Sequence, residues 1–550
     1  MKYFKITCLI LLLFSTTGCK KWLDINSDPA SPQTSKAEFY LAPIIAQMAI
    51  CATTDYNGVQ FKLTQNIGAQ TANDTFERQG FAATDVGGTL WRFVYINAGL
   101  NLEDMIKKAE SVQNNTLAGV GYAIKAWGFQ MLTDSHGPVI LDEAFKDQLT
   151  FKYQDQPEVY AKVREWCQLA LVRLNTPDVG DYSQVLKAND FLFGNTIGTD
   201  LTTYKARWRK FIYAILAQQY SHLTNKPQFV TNYADSVVKY VDLSFASAAE
   251  DAMISFAGAS SANASTLSVN GGYLGSNRIG QPIVNYLSGG VRGTPQTNPT
   301  AATAVDPRIT RMINPMVTTV AATNGVYRGV AVTVGDIPAV KTIPSPYGSA
   351  VPTVANPYPG KYLFGVGLAT TDSPKFPLFS YSQLQFAKAE ALFLKGNLGG
   401  AHTAYINGIR GHFAFTNLYG LNGTTKAPAI TAAEENTYIA SSEVAQNAGA
   451  LTIADIMGQK YIAQWGWAGQ EQFCDMRKYR YNPNVFRQFK PLEPAQFFLQ
   501  STGSTAGNRY VYRIRPRYNS EYIWNREALN EFGGLSDLYA YQETWFTLPN

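Results

Sequence analysis

The stretch SYSQLQFAKAEALFLKGNLGGAHTAYINGI, residues 380–409, decides the fold class. It predicts a helix over 381–395, a break at Gly396-Asn397 and a second helix over 400–409. Small and large residues alternate where the two helices cross: Ala389, Leu392, Gly396, Ala401, Tyr405 and Gly408. Two short helices joined by a glycine turn cannot bury their apolar faces alone. They imply neighbours of the same kind.

The spacing is close to that of a tetratricopeptide helix pair, and helical pattern recurs along the chain. It begins near Leu41, with Pro43 tolerable in a first turn. Over 90–109, residues Trp91, Val94, Tyr95, Ala98, Leu102, Met105 and Ile106 recur at spacings of three and four, one face of a helix. Further helices are expected over 117–132, 157–174, 204–223, 453–465 and 470–478. Between the first two helices, 55–88 mixes Asn, Gln, Gly and Thr with aromatics and reads as an irregular surface loop region. Residues 256–372 form a loop-rich insertion of Gly, Pro, Thr, Ser, Asn and Ala, and loops this long are uncommon unless functional. Trp465 and Trp467, two apart, cannot share one helix face, so one is expected in the core and the other exposed or in a loop. The fold class read from these patterns is mostly α: tetratricopeptide-like helical pairs forming a frame, with long irregular loops and a few short hairpins.

Composition narrows the function classes. Hydrophobic residues make up 46% and charged residues 16% of 550 positions, with a net charge of +5. That describes an ordinary core-forming chain, too weakly basic and without a clustered basic helix for nucleic acid. Aromatic residues reach 13%, a supply of rigid surfaces that both fill helix interfaces and stack on sugar rings. His136, His222, His402 and His412 are the four histidines. None stands at metal-ligand spacing, so no metal site is expected. No nucleophile elbow, P-loop or dinucleotide fingerprint occurs, and no cofactor is expected. Cys51, Cys167 and Cys474 lie far apart in apolar or helical settings and read as buried free thiols, although spacing alone leaves a pairing open.

The N-terminus has the order of a secretory signal. Lys2 and Lys5 precede an apolar run over 6–14. Small residues follow over 15–18, and then Cys19. The run is shorter than the roughly 20 apolar residues a membrane span takes. A cysteine at this position is what a lipoprotein signal peptidase leaves as the lipidated N-terminus. Thr16 departs from the leucine more common three residues before it. Residues 1–18 are read as signal peptide, 19–34 as a turn-rich tether and 35–550 as one large domain.

Behind that signal, LDINSDPASP (23–32) resembles the start of SusD-like (SusD/RagB) outer-membrane lipoproteins, in particular the second SusD-like subgroup. TDSHGPVILDEAF (133–145), YQDQPEVYAKVREWCQLALVRLN (153–175) and YKARWRKFIYAILAQQYSHLTNK (204–226) follow in family order. SYSQLQFAKAEALFLKGN (380–397), QKYIAQWGWAGQEQFCDMRKYRYNP (459–483) and RIRPRYNSEYIWNREAL (513–529) complete it. His136-Gly137-Pro138-Val139-Ile140 departs from the family's Gly-Asp-Val-Pro-Tyr, and Phe473 stands where Trp is common.

The resemblance implies an α-helical, lipid-anchored protein on the extracellular face of the outer membrane. It implies a role as a lid over a SusC-type TonB-dependent transporter, capturing an oligosaccharide or a peptide without catalysis. It directs attention to the early loop-to-helix segment and the middle loops. There Asn73, Asp74, Phe76, Arg78 and Trp91, with Tyr273, Asn277 and Tyr286, are the candidate ligand contacts. Two alternatives stay open: a secreted glycoside hydrolase, which needs two carboxylates across a cleft, and a helical adaptor that binds only protein. Cys19→Ala protein should fold normally and leave the membrane fraction; if it still sediments with membranes, the lipid anchor is wrong.

Overall fold

The computed structural model describes residues 35–53, 55–81, 88–257, 264–268, 272, 274–336, 343–347, 352–359, 362–364, 375–422, 425–498 and 508–549. The segments read as signal peptide and tether, through residue 34 and including Cys19, lie outside the described residues, as does Tyr273.

The frame helices are α1 (Leu41–Thr53), α2 (Asp55–Leu63), α3 (Gly99–Ser111), α4 (Asn115–His136), α5 (Gln156–Asn175), α6 (Thr202–Ser221) and α7 (Ala234–Leu243). They continue with α8 (Tyr381–Leu394), α9 (Leu398–Tyr419), α10 (Ile453–Gln464) and α11 (Gly469–Lys478). Successive helices stack as pairs: α3 on α4, α4 on α5, α6 on α7 and α8 on α9. One apolar core runs through them from Ala37 to Phe546. The stretch Ala37–Leu63 is apolar and long enough to cross a membrane by composition, but 59% of its apolar 18-residue window is buried within the fold.

Capping explains where the helices start. The Asn114 side chain accepts from Leu117 N, Ser380 from Gln383 N, and Asn397 from Gly400 N, each satisfying an amide that has no intrahelical partner. The α8–α9 pair follows the sequence reading closely. Gly396 ends α8 at φ +82°, a conformation that favours glycine. At Gly408 an added Cβ would sit 2.7 Å from the Phe386 ring, so glycine is what lets the two helices close.

The structure departs from the sequence reading in three places. The segment taken as surface loop holds α2 and a strand, and Val59, Gln60, Phe61, Leu63 and Asn66 in it are buried. Its polar residues are matched by distant partners: Gln60 Nε2 donates to Gln470 Oε1 at 2.9 Å, and the Asn66 amide donates to Gln472. The expected single helix over 90–109 is three pieces. Gly88–Arg92 is helical, Phe93–Asn97 is a π turn, and α3 starts beyond Ala98. Trp465 and Trp467 are both buried, because α10 ends at Gln464 and Trp465 turns to extended backbone. Freed from helical geometry, Trp465 Nε1 donates to Asn66 O at 2.9 Å and Trp467 Nε1 to Ala463 O at 2.9 Å.

The strands are short and antiparallel. Val139–Ile140 pairs with Tyr153–Gln154, whereas Ile67–Ala69 with Asn277–Ile279 and Ala252–Ile254 with Phe376–Phe379 join segments distant in sequence. Cys51, Cys167 and Cys474 are buried, and Cys167 and Cys474 are free thiols.

Charge is buried at the centre of the frame. Glu471 on α11 accepts from Lys460 Nζ of α10 at 3.0 Å and lies 2.8 Å from His222 Nε2, just past α6. Lys460 also meets Asp475 at 2.8 Å, and Lys478 joins Asp475 at 3.1 Å to Glu390 of α8 at 2.8 Å. His222 Nδ1 lies 3.4 Å from Asp134 of α4, whose carboxylate also accepts from Tyr160 of α5. Burial alone would lower the His222 pKa, but Glu471 and Asp134 outweigh it and raise it to about 9. Glu471, despite burial, is held well below the usual carboxylate range by Lys460 and His222.

Removing one partner of a buried ion pair strands the other, so Glu471→Gln should cost about 3–5 kcal/mol in a denaturant titration. His222 adds stability that is complete below its ordinary pKa of 6.5 and is lost as pH rises through about 9. His222→Gln should flatten that fall in the same titration, and an unchanged slope would count against a charged His222.

Candidate ligand-binding site

Two chain segments are brought together where Ile67–Ala69 pairs with Asn277–Ile279, with Ala69 opposite Asn277. Beside this strand pair, Gly58, Val59, Lys62, Phe76, Ser276 and Asn277 line a cavity of about 170 Å³. Lys62 comes from the last turn of α2. Phe76 comes from a tight turn in which Asp74 Oδ1 accepts from Phe76 N at 3.0 Å and Glu77 N at 3.3 Å. Asp and Asn favour such turns because their short side chains bond the backbone two or three residues on. The other Asp74 oxygen pairs with Lys62 Nζ at 2.8 Å, and that ammonium stands 5.8 Å from the Phe76 ring centroid.

Behind the turn, Glu77 is buried. One of its oxygens accepts from Ala69 N, the other from Thr333 N at 2.7 Å. Burial is the larger effect and lifts its pKa to about 7 against those bonds. Glu77 therefore ties together the turn, the first strand and the middle loops.

Phe76 and Asn277 share the cavity, with Asp74 attached through Lys62. Asn73 is exposed at the turn, at φ +61°, its N–H donating to Thr333 O at 3.0 Å. Arg78 is spent on the backbone: its Nε donates to Gln496 O at 2.9 Å and Nη2 to Phe497 O at 3.1 Å. Tyr286 is buried, its ring 5.2 Å from that of Tyr461. Trp91 is buried too, edge-on to His136 at 5.2 Å, and belongs to a different cavity. Lys62, Ser276 and Glu77 escaped the sequence reading. Lys62 lies in the segment read as loop, and no local pattern marks a lysine whose partner is twelve positions on.

This arrangement offers an ammonium, a carboxylate, an amide and a hydroxyl around one aromatic face. Such a set can hydrogen-bond hydroxyl or amide groups while a ring rests on Phe76. For a metal, the described residues bring Asp134, His222 and Cys474 together, with ligand atoms within 4.8 Å. Those atoms are engaged in the buried network: His222 Nε2 with Glu471, Asp134 with Tyr160 and Gln130, and Cys474 Sγ with Arg477.

A helical frame that carries a polar-rimmed aromatic pocket on its loops defines the class. The profile of the SusD-like family described as "Starch-binding associating with outer membrane" matches residues 29–485. Among solved structures, a chitin-binding protein superposes with a TM-score of 0.66 at 18% identity, covering 94% of this chain and 100% of its own. A chitin-binding SusD homolog from Flavobacterium johnsoniae gives 0.63 at 16% identity, with 94% and 99% covered. A SusD homolog from Parabacteroides distasonis gives 0.67 at 16% identity, with 93% and 98% covered. No curated protein matches. At these identities the superpositions establish a shared fold, and the family profile spans most of the chain. The chain belongs to the SusD-like family.

Proposed function

We propose that this protein captures an oligosaccharide at the outer membrane, anchored by a lipid on Cys19 and facing outward. It would pass the ligand to a SusC-type TonB-dependent transporter without using a cofactor. The family's description as starch-binding and membrane-associating supports this, as do two chitin-binding structures of the same fold. The single observation that carries it is the Lys62–Asp74 ion pair set beside the Phe76 face, with Asn277 across the cavity. The candidate contacts are accordingly Asn73, Asp74, Phe76 and Asn277, together with Lys62 and Ser276. A short peptide is the second ligand class such a polar set would accept.

Glycoside hydrolysis is the weaker reading. It needs a carboxylic acid and a carboxylate both facing substrate. Among the described residues no Asp or Glu lines this cavity; nearby, Asp74 is committed to Lys62, and the two oxygens of Glu77 accept from the Ala69 and Thr333 amides. A protein-only adaptor would present an apolar groove, whereas the lining here carries an ammonium and an amide.

Phe76→Ala should weaken binding of chito- or malto-oligosaccharides about tenfold, the roughly 1.4 kcal/mol of an aromatic contact. Its melting temperature should stay close to wild type, because the ring is only half buried. Calorimetric titration against both series checks this, and equal affinity in the variant would move the site elsewhere.

A further inference from the structure

A second cavity, of about 320 Å³, shares no lining residue with the first. Trp91, Tyr95, Phe145 and Phe151 line it together with as many aliphatic side chains, and Ser520 and Glu521 are among its polar groups. The Trp91 and Tyr95 rings lie 5.0 Å apart, and Tyr95 and Phe145 lie 6.4 Å apart. The volume is at the small end of the roughly 300–1,000 Å³ of ligand sites.

The polar groups are out of balance. Glu521 is 3% exposed. One oxygen, Oε2, accepts from Tyr153 OH at 2.5 Å and from Asn525 Nδ2 at 3.0 Å. Those two donors are neutral, and among the described residues no Lys, Arg or His stands within ion-pair distance of Glu521. A buried carboxylate without a cation is costly. Beside it, Ser520 Oγ is buried and has no hydrogen-bond partner. Burial first, and then Glu521, raise the hydroxyl pKa values of Tyr95 and Tyr153. Lys146 also lines the cavity, but it is exposed and stands beyond ion-pair reach.

An ammonium supplies both missing interactions, a positive charge for Glu521 and N–H donors for Ser520. Aromatic faces attract the same cation through their quadrupoles. We propose that this cavity is a second binding site, taking a compact ligand that bears an organic ammonium. The charge would sit on Glu521 and the body of the ligand among Trp91, Tyr95, Phe145 and Phe151. The proposal stands apart from glycan capture, because the two cavities share no residue.

An amino sugar and a basic peptide both carry this chemistry, so the test uses both. Benzylamine, glucosamine and the tripeptide Gly-Lys-Gly are titrated calorimetrically into the wild-type protein, with benzyl alcohol and N-acetylbenzylamine as uncharged controls. At least one amine should bind while both controls fail. Glucosamine alone would name an amino sugar, and the tripeptide alone a basic side chain. Glu521→Gln keeps an acceptor for Tyr153 and Asn525 and should weaken the amine at least tenfold. Lys146→Met removes a like charge at the rim and should tighten it. No binding by any amine, equal binding of a neutral control, or loss of binding in Lys146→Met would overturn the proposal. The uncharged controls decide on wild-type protein even if Glu521→Gln fails to fold.

Discussion

The burial of Glu471 between Lys460 and His222 is the constraint on which the rest depends. Charges taken out of water must be satisfied together or not at all. Here they are satisfied only when α4, α6, α8, α10 and α11 hold one arrangement, because Asp134, His222, Glu390, Lys460 and Glu471 come from or directly follow different helices. Apolar packing would tolerate small slips between these helices, whereas a set of ion pairs near 3 Å does not.

The same helix that carries Glu471 sets the candidate site. Gln470 and Gln472, its immediate neighbours on α11, bind Gln60 and Asn66. Those two residues bracket Lys62 and lead into the strand at Ile67–Ala69. The strand pairs with Asn277–Ile279, and Glu77 bonds the strand's Ala69 amide and, from the middle loops, the Thr333 amide. A continuous set of contacts thus runs from the buried charges to the cavity that holds Lys62, Phe76 and Asn277.

That path explains what was legible in the sequence. Helices of the frame announced themselves because their apolar faces repeat every three or four residues, and Gly396 and Gly408 marked the turn and crossing of α8 and α9. The helix over 55–63 did not, since Gln60 and nearby Asn66 look solvent-facing until Gln470 and Gln472 are known. Lys62 and Ser276 were hidden for the same reason: their roles come from long-range strand pairing. Phe76 and Asn277 were named and share a cavity. Trp91 and Tyr286, also named, are buried among other rings, where a stripe or loop position cannot tell a platform from packing. The pair Trp465 and Trp467 went inward together because the helix stopped one residue sooner than its pattern suggested.

On this account the ligand is held by loops and the end of α2, which the ionic frame positions. Hydrogen exchange of the backbone amides, followed with and without a bound oligosaccharide, tests it most directly. The account predicts added protection over 58–62, 73–80 and 274–279, with the frame helices other than α2 unchanged. Protection confined to 91–100 and 141–151, or protection nowhere, would contradict it.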